Sequence, residues 1–478
     1  MAKAKYRFPV SGKTRIERDL LGDRPVPEEA LFGIQTLRGV ENFTISQAHI
    51  YHYPHLVKGL AIIKMGATLA NHELGLISDR LKDVIVQACQ DLIDGKYHDH
   101  FPLDMIQGGA GTSTNMNANE VIANRALEIM GAKYGEYDFC HPNNHINMSQ
   151  STNDAYPSAV HFALYYTHLD LVSSLEALLD SLKKKAVEFA GIIKMGRTQL
   201  QDAVPMTLGQ SFAAFASALK SELKNLHHMV QAFLTVNMGA TAIGTGICSE
   251  PGYAEACIRH LRNITKLDVK LAPDLVEATS DTTPMIAYSS ALKRLAIKIG
   301  KICNDLRLMS SGPRAGLGEI NLPPKQPGSS IMPGKVNPVI PEVMNQICFR
   351  VVGNDLTCTM AAEAAQLELN VMEPVMVYCI FESAQWLING FNTLRIECID
   401  GITANADHCR ATVEKSIGLV TALNPYIGYE NSTIVAKEAL ESGRSVYELV
   451  LEKKLLTKAQ LDTILDPANM IKPVKLDL

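Results

Sequence analysis

LYYTHLDLVSSLEALLDSLKKKAVEF, residues 164–189, carries large apolar side chains at helical spacing. They are separated by seven, four, three, four and seven positions: Leu164, Leu171, Leu175, Leu178, Leu182 and Phe189. Such spacing places all of them on one face of a long helix, where they can pack against other helices. We therefore expect helix packing to organise the chain.

A second apolar seam nearer the C-terminus supports the same prediction. Its members repeat in steps of three and four: Leu292, Leu295, Ile299, Ile302 and Leu306. Further long helical stretches are predicted over residues 209–236, 339–369 and 373–399, and few segments alternate as strands do. Five long helices indicate a mainly α protein with an elongated bundle. Because such helices often carry more apolar surface than one chain buries, copies of the chain are expected to associate.

The chain has 478 residues, more than a single core usually organises, so we expect three domains. Residues 1–149 form an α-rich N-terminal domain, with a mostly irregular lead-in to about residue 55 and helices from about 56, over 78–94 and over 115–130. Residues 150–404 form the central bundle. Residues 405–478 form a small C-terminal domain with short helices near 445–452 and 458–465.

Composition excludes several classes of function. The 45 Lys and Arg nearly balance the 50 Asp and Glu, which argues against nucleic acid as a main partner. The longest uncharged run, 229–249, is interrupted by polar residues and glycines, so no membrane span is expected. Ten cysteines without a CxxC pair indicate reduced thiols in a cytoplasmic protein. No histidine pattern predicts a metal site.

A long irregular segment precedes the most reactive sequence of the chain. Residues 312–330 contain four Gly and four Pro, which excludes a regular helix, and long loops in compact proteins are usually functional or disordered. The segment runs into GSSIMPGKVNPVIPE, residues 328–342. Its hydroxyls, cation and amide suit an anion, and Asn337 with Pro338 predicts a helix start that adds free N–H groups. A surface turn without further function is the alternative.

Three other stretches place neutral donors where helices begin. They are GGAGTSTNMNANE at 108–120, SQSTNDAYP at 149–157 and GRTQLQDAVP at 196–205. Each stretch taken alone is explained by helix capping, the commonest task of Ser, Thr and Asn there. Runs of three or four uncharged donors, however, suit a small charged ligand, because they bind carboxylates without the cost of burying lysines.

The sequence GSSIMPGKVNP resembles the signature of the fumarase/aspartase superfamily, and the resemblance extends from Glu17 to the C-terminal domain. Three further sequence segments favour the aspartase branch of this family. GRTQLQDAVPMTLGQ carries Gln199 where the hydratases typically have His, and ELNVMEPV carries Glu373 where they more often have Lys. Glu342 follows PVIP, where the hydratases usually read PTQC.

This resemblance implies a homotetramer with a central core of twenty helices, five from each chain, and active sites built from three subunits. It implies reversible deamination of L-aspartate to fumarate and ammonium by anti elimination through an enediolate. No organic cofactor is implied, and the sequence is silent on activation by a divalent metal. Fumarate hydratase activity on malate is the alternative, since it uses the same loop. A purely structural role is a second alternative, although such a protein has no need of the paired serines.

The resemblance also assigns roles to ten residues. Ser329 is the implied general base, an alkoxide on a loop that closes over the substrate, with Lys335 and loop N–H groups stabilising its charge. The side-chain carboxylate and its dianion are expected to contact four residues: Thr112, Ser151, Thr152 and Ser330. Lys335 and Asn337 are expected to bind the α-carboxylate. The amino group is expected to lie among Asn153, Thr198 and Gln199.

Overall fold

The computed structural model describes residues 6–471 and 473–475, and the predicted mainly α fold is confirmed. Helices α1 to α8 are Ile34–Asn42, Pro54–Glu73, Asp79–Ile93, Thr112–Ile129, Thr152–Glu188, Leu208–Met229, Tyr253–Thr265 and Glu277–Ser280. Helices α9 to α16 are Thr283–Met309, Val339–Glu363, Glu373–Glu397, Ala406–Lys415, Leu419–Ser442, Val446–Glu452, Lys458–Ile464 and Pro467–Met470.

The strands are short and form four separate pairs. Strands β1 to β8 are Thr14–Asp19, Gly22–Pro27, Ile193–Thr198, Gln201–Thr207, Thr235–Val236, Lys270–Leu271, Ile320–Asn321 and Thr403–Ala404. The pairs β1–β2, β3–β4 and β7–β8 are antiparallel, and β5–β6 is parallel. The first two pairs are hairpins, each closed by a two-residue turn.

The described chain divides into two compact units. The first unit contains residues up to 172 together with 224–296 and 349–387. The second unit contains 173–223, 297–348 and the residues from 388 onward. Five helices, α5, α6, α9, α10 and α11, have residues in both units. The three-domain division at 1–149, 150–404 and 405–478 stays a prediction.

In the first unit, α2 is largely buried. It packs against α3 and α7, and most of its residues between 56 and 71 are inaccessible to solvent. Helix α3 begins and ends as the sequence predicts, because the Ser78 hydroxyl accepts a hydrogen bond from the Leu81 amide at 3.4 Å and Gly95 follows with φ of +88°. Lys64 lies in the middle of α2 with no exposed surface.

In the second unit, β3 contributes to an apolar cluster with the C-terminal helices. Ile193 and Met195 of β3 lie in one buried cluster with Leu423 and Val435 of α13 and Leu449 of α14. The hairpin β3–β4 therefore has a packed base. Its tip, by contrast, carries exposed residues.

Both predicted apolar seams are buried, as expected of helix packing. The six residues between Leu164 and Phe189 are at most 2% exposed, and so are the five between Leu292 and Leu306. Two predicted helix ends are wrong. Helix α6 ends at Met229 rather than at 236, because the chain continues as a 3-10 turn and the short strand β5. Helix α10 ends at Glu363 rather than at 369, and Leu367 there adopts φ of +54°.

Several elements were not predicted. The lead-in predicted to be irregular contains the hairpin β1–β2 and helix α1, and the prolines of β2 hide its strand character in the sequence. The stretch around 196–205 is a β-hairpin instead of a simple connection. Helix α13 contains Pro425 and a kink at Gly428, where φ is +76° and ψ is 161°, and these two residues obscure its helical pattern.

Candidate active site

The donor cluster at 149–157 forms the start of α5 in the first unit. The Ser151 hydroxyl accepts a hydrogen bond from the Asn153 amide at 3.2 Å, and the Ser151 amide donates to Asp154 Oδ1 at 2.9 Å. This reciprocal pair resembles a capping box, so Ser151 does serve as a cap. The cap interpretation does not account for Thr152, whose hydroxyl accepts a hydrogen bond from Asn115 Nδ2 at 3.2 Å.

Asp154 is fully buried behind this cluster and holds a neighbouring loop in place. Its Oδ2 accepts hydrogen bonds from the amides of Gly239 at 3.1 Å and Thr241 at 3.0 Å. Burial raises the pKa of Asp154 to about 6, although its three backbone donors oppose that shift. Asn153 Nδ2 donates to the Ala242 carbonyl at 2.8 Å. Thr241 adopts φ of +56°, which is costly for a β-branched residue, so this loop is held in one strained conformation.

Thr112 occupies the start of another helix, α4, in the same unit. The helix begins at Thr112 rather than at 115, so the predicted boundary is wrong by one turn. Gly111 precedes it with φ of +88°, and a Cβ there would lie 2.5 Å from the Tyr156 ring. Thr112 is exposed, and its hydroxyl donates to the Gly109 carbonyl at 2.8 Å. Asn115, one turn later, reaches Thr152, so α4 and α5 bring their N-terminal N–H groups toward one region.

The loop at 328–337, in the second unit, is closed at its base. The Gly328 amide donates to the Lys335 carbonyl at 2.7 Å, and Asn337 Nδ2 donates to the Gly328 carbonyl at 2.8 Å. A Cβ at residue 328 would lie 2.8 Å from the Lys335 oxygen, which explains why glycine is needed there. Helix α10 begins at Val339, which agrees with the helical stretch predicted from 339 and is one residue after the start predicted at Pro338.

Ser329 lies within this closed loop and is only half-buried. Its Oγ accepts hydrogen bonds from the amides of Ile331 at 3.2 Å and Met332 at 3.1 Å. Two N–H groups directed at one hydroxyl oxygen stabilise negative charge on it. Ser329 and Lys335 line one cavity of about 490 Å³, and Ser330 is exposed beside it.

Thr198 and Gln199 lie at the tip of the β3–β4 hairpin. The two-residue turn consists of Gln199 and Leu200, with φ of +54° and +62°. Hairpin turns with two positive φ angles usually contain Asn-Gly, so a Gln-Leu turn is strained. Strain of this kind often marks a functional site. Strand β3 of this hairpin is fixed by ion pairs of Lys194 and Arg197 with Glu319, at 2.7 and 2.5 Å.

The ten predicted site residues therefore fall into two groups. Those in the first unit stand at the starts of α4 and α5: Thr112, Ser151, Thr152 and Asn153. Those in the second unit are on the hairpin tip and the closed loop: Thr198, Gln199, Ser329, Ser330, Lys335 and Asn337. Their individual roles stay predictions.

Sequence reasoning missed the buried groups behind the first-unit donors. Lys64 Nζ donates to Asn147 Oδ1 at 3.0 Å and to Gln150 Oε1 at 2.9 Å. Burial lowers the pKa of Lys64 to about 7, while the nearby charge of Asp154 opposes this shift. The only signal in the sequence is a lone lysine within the apolar stretch GLAIIKMGA.

Two further kinds of feature are absent from the described residues. No three or more His, Cys, Asp or Glu side chains among them are grouped so that they could hold a metal ion. None of the described helices is long and apolar enough to cross a membrane.

Comparison with known proteins shows which family the chain resembles. Residues 22–353 match the family model described as lyase, and residues 419–472 match the model described as fumarase C C-terminus. The chain is 59% identical to aspartate ammonia-lyase of Pseudomonas aeruginosa over 461 residues, which cover 96% of this chain and 97% of that protein.

Solved structures agree with the sequence comparison. Fumarate lyase:delta crystallin from Brucella melitensis, crystallised with cobalt bound, has a TM-score of 0.94 and 51% identity, with 96% of this chain and 100% of that chain covered. A class II fumarase from Schistosoma mansoni has a TM-score of 0.90 at 34% identity, with 96% and 99% covered. The chain belongs to the aspartate ammonia-lyase family of carbon–nitrogen lyases, within the fumarase/aspartase superfamily.

Proposed function

We propose that this protein converts L-aspartate reversibly to fumarate and ammonium, with Ser329 as the general base. The observation that carries the proposal is the pair of backbone amides, from Ile331 and Met332, that donate to Ser329 Oγ. An unassisted serine hydroxyl is far too weak an acid to act as a base near neutral pH. The two N–H groups, with Lys335 in the same cavity, supply the stabilisation that an alkoxide needs.

The chemistry requires a site that favours a dianion. Ser329 Oγ removes a proton from C3, and the electrons of the C–H bond move into the adjacent carboxylate to give an enediolate with two negative charges. The enediolate then re-forms the carboxylate and the C2–C3 double bond as the C–N bond breaks. The amino group leaves as neutral ammonia from its protonated form, so no acid has to protonate it. A site that binds the dianion more tightly than the substrate lowers this barrier.

The donors of the first unit suit the side-chain carboxylate. Thr112, Ser151 and Thr152 are uncharged and stand in the first turns of two helices or just before them, where free N–H groups and the helix dipole favour an anion. The backbone N–H groups at these helix starts are held in fixed positions, so they need little rearrangement as charge develops. The α-carboxylate is assigned to Lys335 and Asn337, and the amino group to Asn153, Thr198 and Gln199.

We also propose the homotetramer, with each site built from three chains. The support is an apolar stripe on the part of α10 that belongs to the first unit. Its members are 38% to 70% exposed in the single chain: Phe349, Val352, Leu356 and Met360. Their spacing of three, four and four residues gives one continuous face, and large apolar faces of this kind usually bind another protein surface. Copies of the same chain are the simplest partner.

The cellular location and the domain division belong to the same proposal. A cytoplasmic location is supported by the ten cysteines, all of which are free thiols in the described chain, nine of them buried. The division into an N-terminal domain at 1–149, a bundle at 150–404 and a C-terminal domain at 405–478 also remains part of the proposal.

Purified protein supplied separately with L-aspartate and with L-malate tests the reaction. Fumarate formation is followed by its ultraviolet absorbance, and ammonium is measured independently. We expect fumarate and ammonium in equal amounts from L-aspartate and no turnover of L-malate. Turnover of malate without turnover of aspartate would establish the hydratase alternative, and absence of both activities would favour a structural role.

A further inference from the structure

A chain of side-chain hydrogen bonds connects a buried lysine to a predicted substrate donor. Lys64 Nζ donates to Asn147 Oδ1 at 3.0 Å, and Asn115 Nδ2 donates to the same oxygen at 3.1 Å. Asn115 Nδ2 also donates to Thr152 Oγ1 at 3.2 Å. All four residues belong to the first unit, and Lys64 and Asn115 are at most 1% exposed.

The hydrogen bonds of Asn147 fix the direction of every bond in this chain. Its Nδ2 donates to the Gln150 carbonyl at 3.2 Å, so it presents its amide oxygen to Lys64. Asn115 must then present its NH2 group, because its own oxygen would face the oxygen of Asn147. A third donor to the same oxygen, Asn119 Nδ2 at 3.1 Å, reinforces this orientation of Asn147.

The last bond of the chain determines what the hydroxyl of Thr152 can do. Because Thr152 Oγ1 accepts from Asn115, its proton points away from Asn115. Within residues 6–471 and 473–475, the hydroxyl of Thr152 donates to no side chain or carbonyl. Its one proton is therefore available for a ligand at the start of α5.

We propose that Lys64 is a positioning residue, which acts through Asn147 and Asn115 to hold Thr152 as a hydrogen-bond donor toward the side-chain carboxylate of the substrate. This inference rests on the proposed function, because it takes that carboxylate to be the ligand of Thr152. A fully buried lysine is costly to keep. Holding the Thr152 hydroxyl as a donor toward the substrate explains why the protein keeps Lys64 despite that cost.

The test is a double-mutant cycle between the two ends of the chain. Lys64→Met keeps the length of the side chain and removes its donors, and Thr152→Val keeps the shape and removes the hydroxyl. We expect Lys64→Met to lower kcat/KM for L-aspartate roughly tenfold and Thr152→Val to lower it roughly 10- to 100-fold. In the Thr152→Val background, Lys64→Met should cost less than about threefold, because the hydroxyl that it orients is absent.

Binding of succinate, measured by titration calorimetry, repeats the cycle without turnover. Succinate has both carboxylates and no amino group. Its affinity should therefore fall in the same non-additive way, so that the double variant loses less affinity than the two single variants combined. Asn115→Ala breaks the chain without removing the buried charge, and it replaces Lys64→Met in the cycle if that variant does not fold. Costs that simply add, in turnover or in succinate binding, would overturn the proposal and leave Lys64 a structural residue.

Lys58→Met is the matched control. Lys58 is on the same helix as Lys64, and its ammonium lies over the Tyr166 ring at 4.1 Å. We expect its kcat/KM to stay within about twofold of the wild type. A wild-type protein inactive on L-aspartate refutes the proposed function itself, whereas an active wild type with an additive cycle refutes only the role of Lys64.

Discussion

Lys194 Nζ lies 2.7 Å from Glu319 Oε2, and both side chains are at least 92% buried. Arg197 Nη1 lies 2.5 Å from the other oxygen of the same carboxylate. The carboxylate therefore joins strand β3 of the hairpin to the chain just before β7. In consequence, the strand that leads to Thr198 and Gln199 is attached to the chain that leads into the Ser329 loop.

Glu319→Gln should destabilise the second unit by roughly 3 kcal/mol, because it leaves two largely buried cations without their anion. The measurement is the midpoint of urea or thermal unfolding at fixed protein concentration. Glu397→Gln is the control, since it breaks a more exposed pair with Lys325 and should cost at most about 1 kcal/mol. Equal losses in both variants would show that the buried carboxylate has no special importance.

Ser329→Ala should fold normally and lose activity on L-aspartate by several powers of ten, roughly 10³-fold or more, because no other group replaces the base. Steady-state kinetics of fumarate formation measures the loss. The control is Ser310→Ala at the end of α9, whose hydroxyl donates only to the Arg307 carbonyl at 3.2 Å. Turnover by Ser329→Ala at the wild-type rate would refute the role given to this serine.

The fold could be predicted where one local pattern determined the outcome. The seam from Leu164 to Phe189 needs only helical spacing, and the cap at Ser78 needs only a hydroxyl before an apolar run. The Ser329 loop was recognisable because its glycines and prolines exclude regular structure. In each case the information lies within a few neighbouring residues.

Features that depend on distant contacts could not be predicted. The turn at Gln199 and Leu200 lacks the glycine that usually marks positive φ, so its hairpin gave no signal. The importance of Lys64 depends on Asn147 and Asn115, which lie far from it in sequence and meet it only after folding. Secondary-structure propensity and the spacing of apolar residues carry no information about contacts of this kind.

Glu373→Gln should stabilise the protein increasingly as the pH rises from about 5 to about 8. Burial raises the pKa of Glu373 to about 8 from its ordinary value near 4.5. Below that ordinary value the folded and unfolded states both hold the proton. Between the two pKa values only the folded state holds it, so wild-type stability falls as the pH rises.

Each pKa unit corresponds to about 1.4 kcal/mol, so the gain of Glu373→Gln should reach roughly 5 kcal/mol above pH 8. The measurement is the difference in unfolding temperature between variant and wild type at several pH values. Glu368→Gln, at an exposed position near the start of α11, is the control and should show no such dependence. A difference that does not change between pH 5 and 8 would contradict the prediction.

Phe349→Glu should dissociate the proposed tetramer. Phe349 is 70% exposed in the single chain and belongs to the apolar stripe of α10, where a buried carboxylate in a subunit interface would be costly. Light scattering is expected to give four times the 52.2 kDa chain mass for the wild type and a smaller mass for the variant. If the sites are shared among chains, activity on L-aspartate should fall in proportion to the loss of tetramer.

Leu440→Glu tests whether any exposed apolar residue would behave in the same way. Leu440 is 74% exposed on α13, and its large apolar side chain is outside the stripe of α10. The substitution should leave the assembly and the activity unchanged, because a charge at a solvated position costs little. Dissociation by Leu440→Glu but not by Phe349→Glu would move the interface from α10 to α13. Helix α10 follows the Ser329 loop, and this connection is the structural reason to expect a site shared between chains. An interface on α13 instead of α10 would remove that reason.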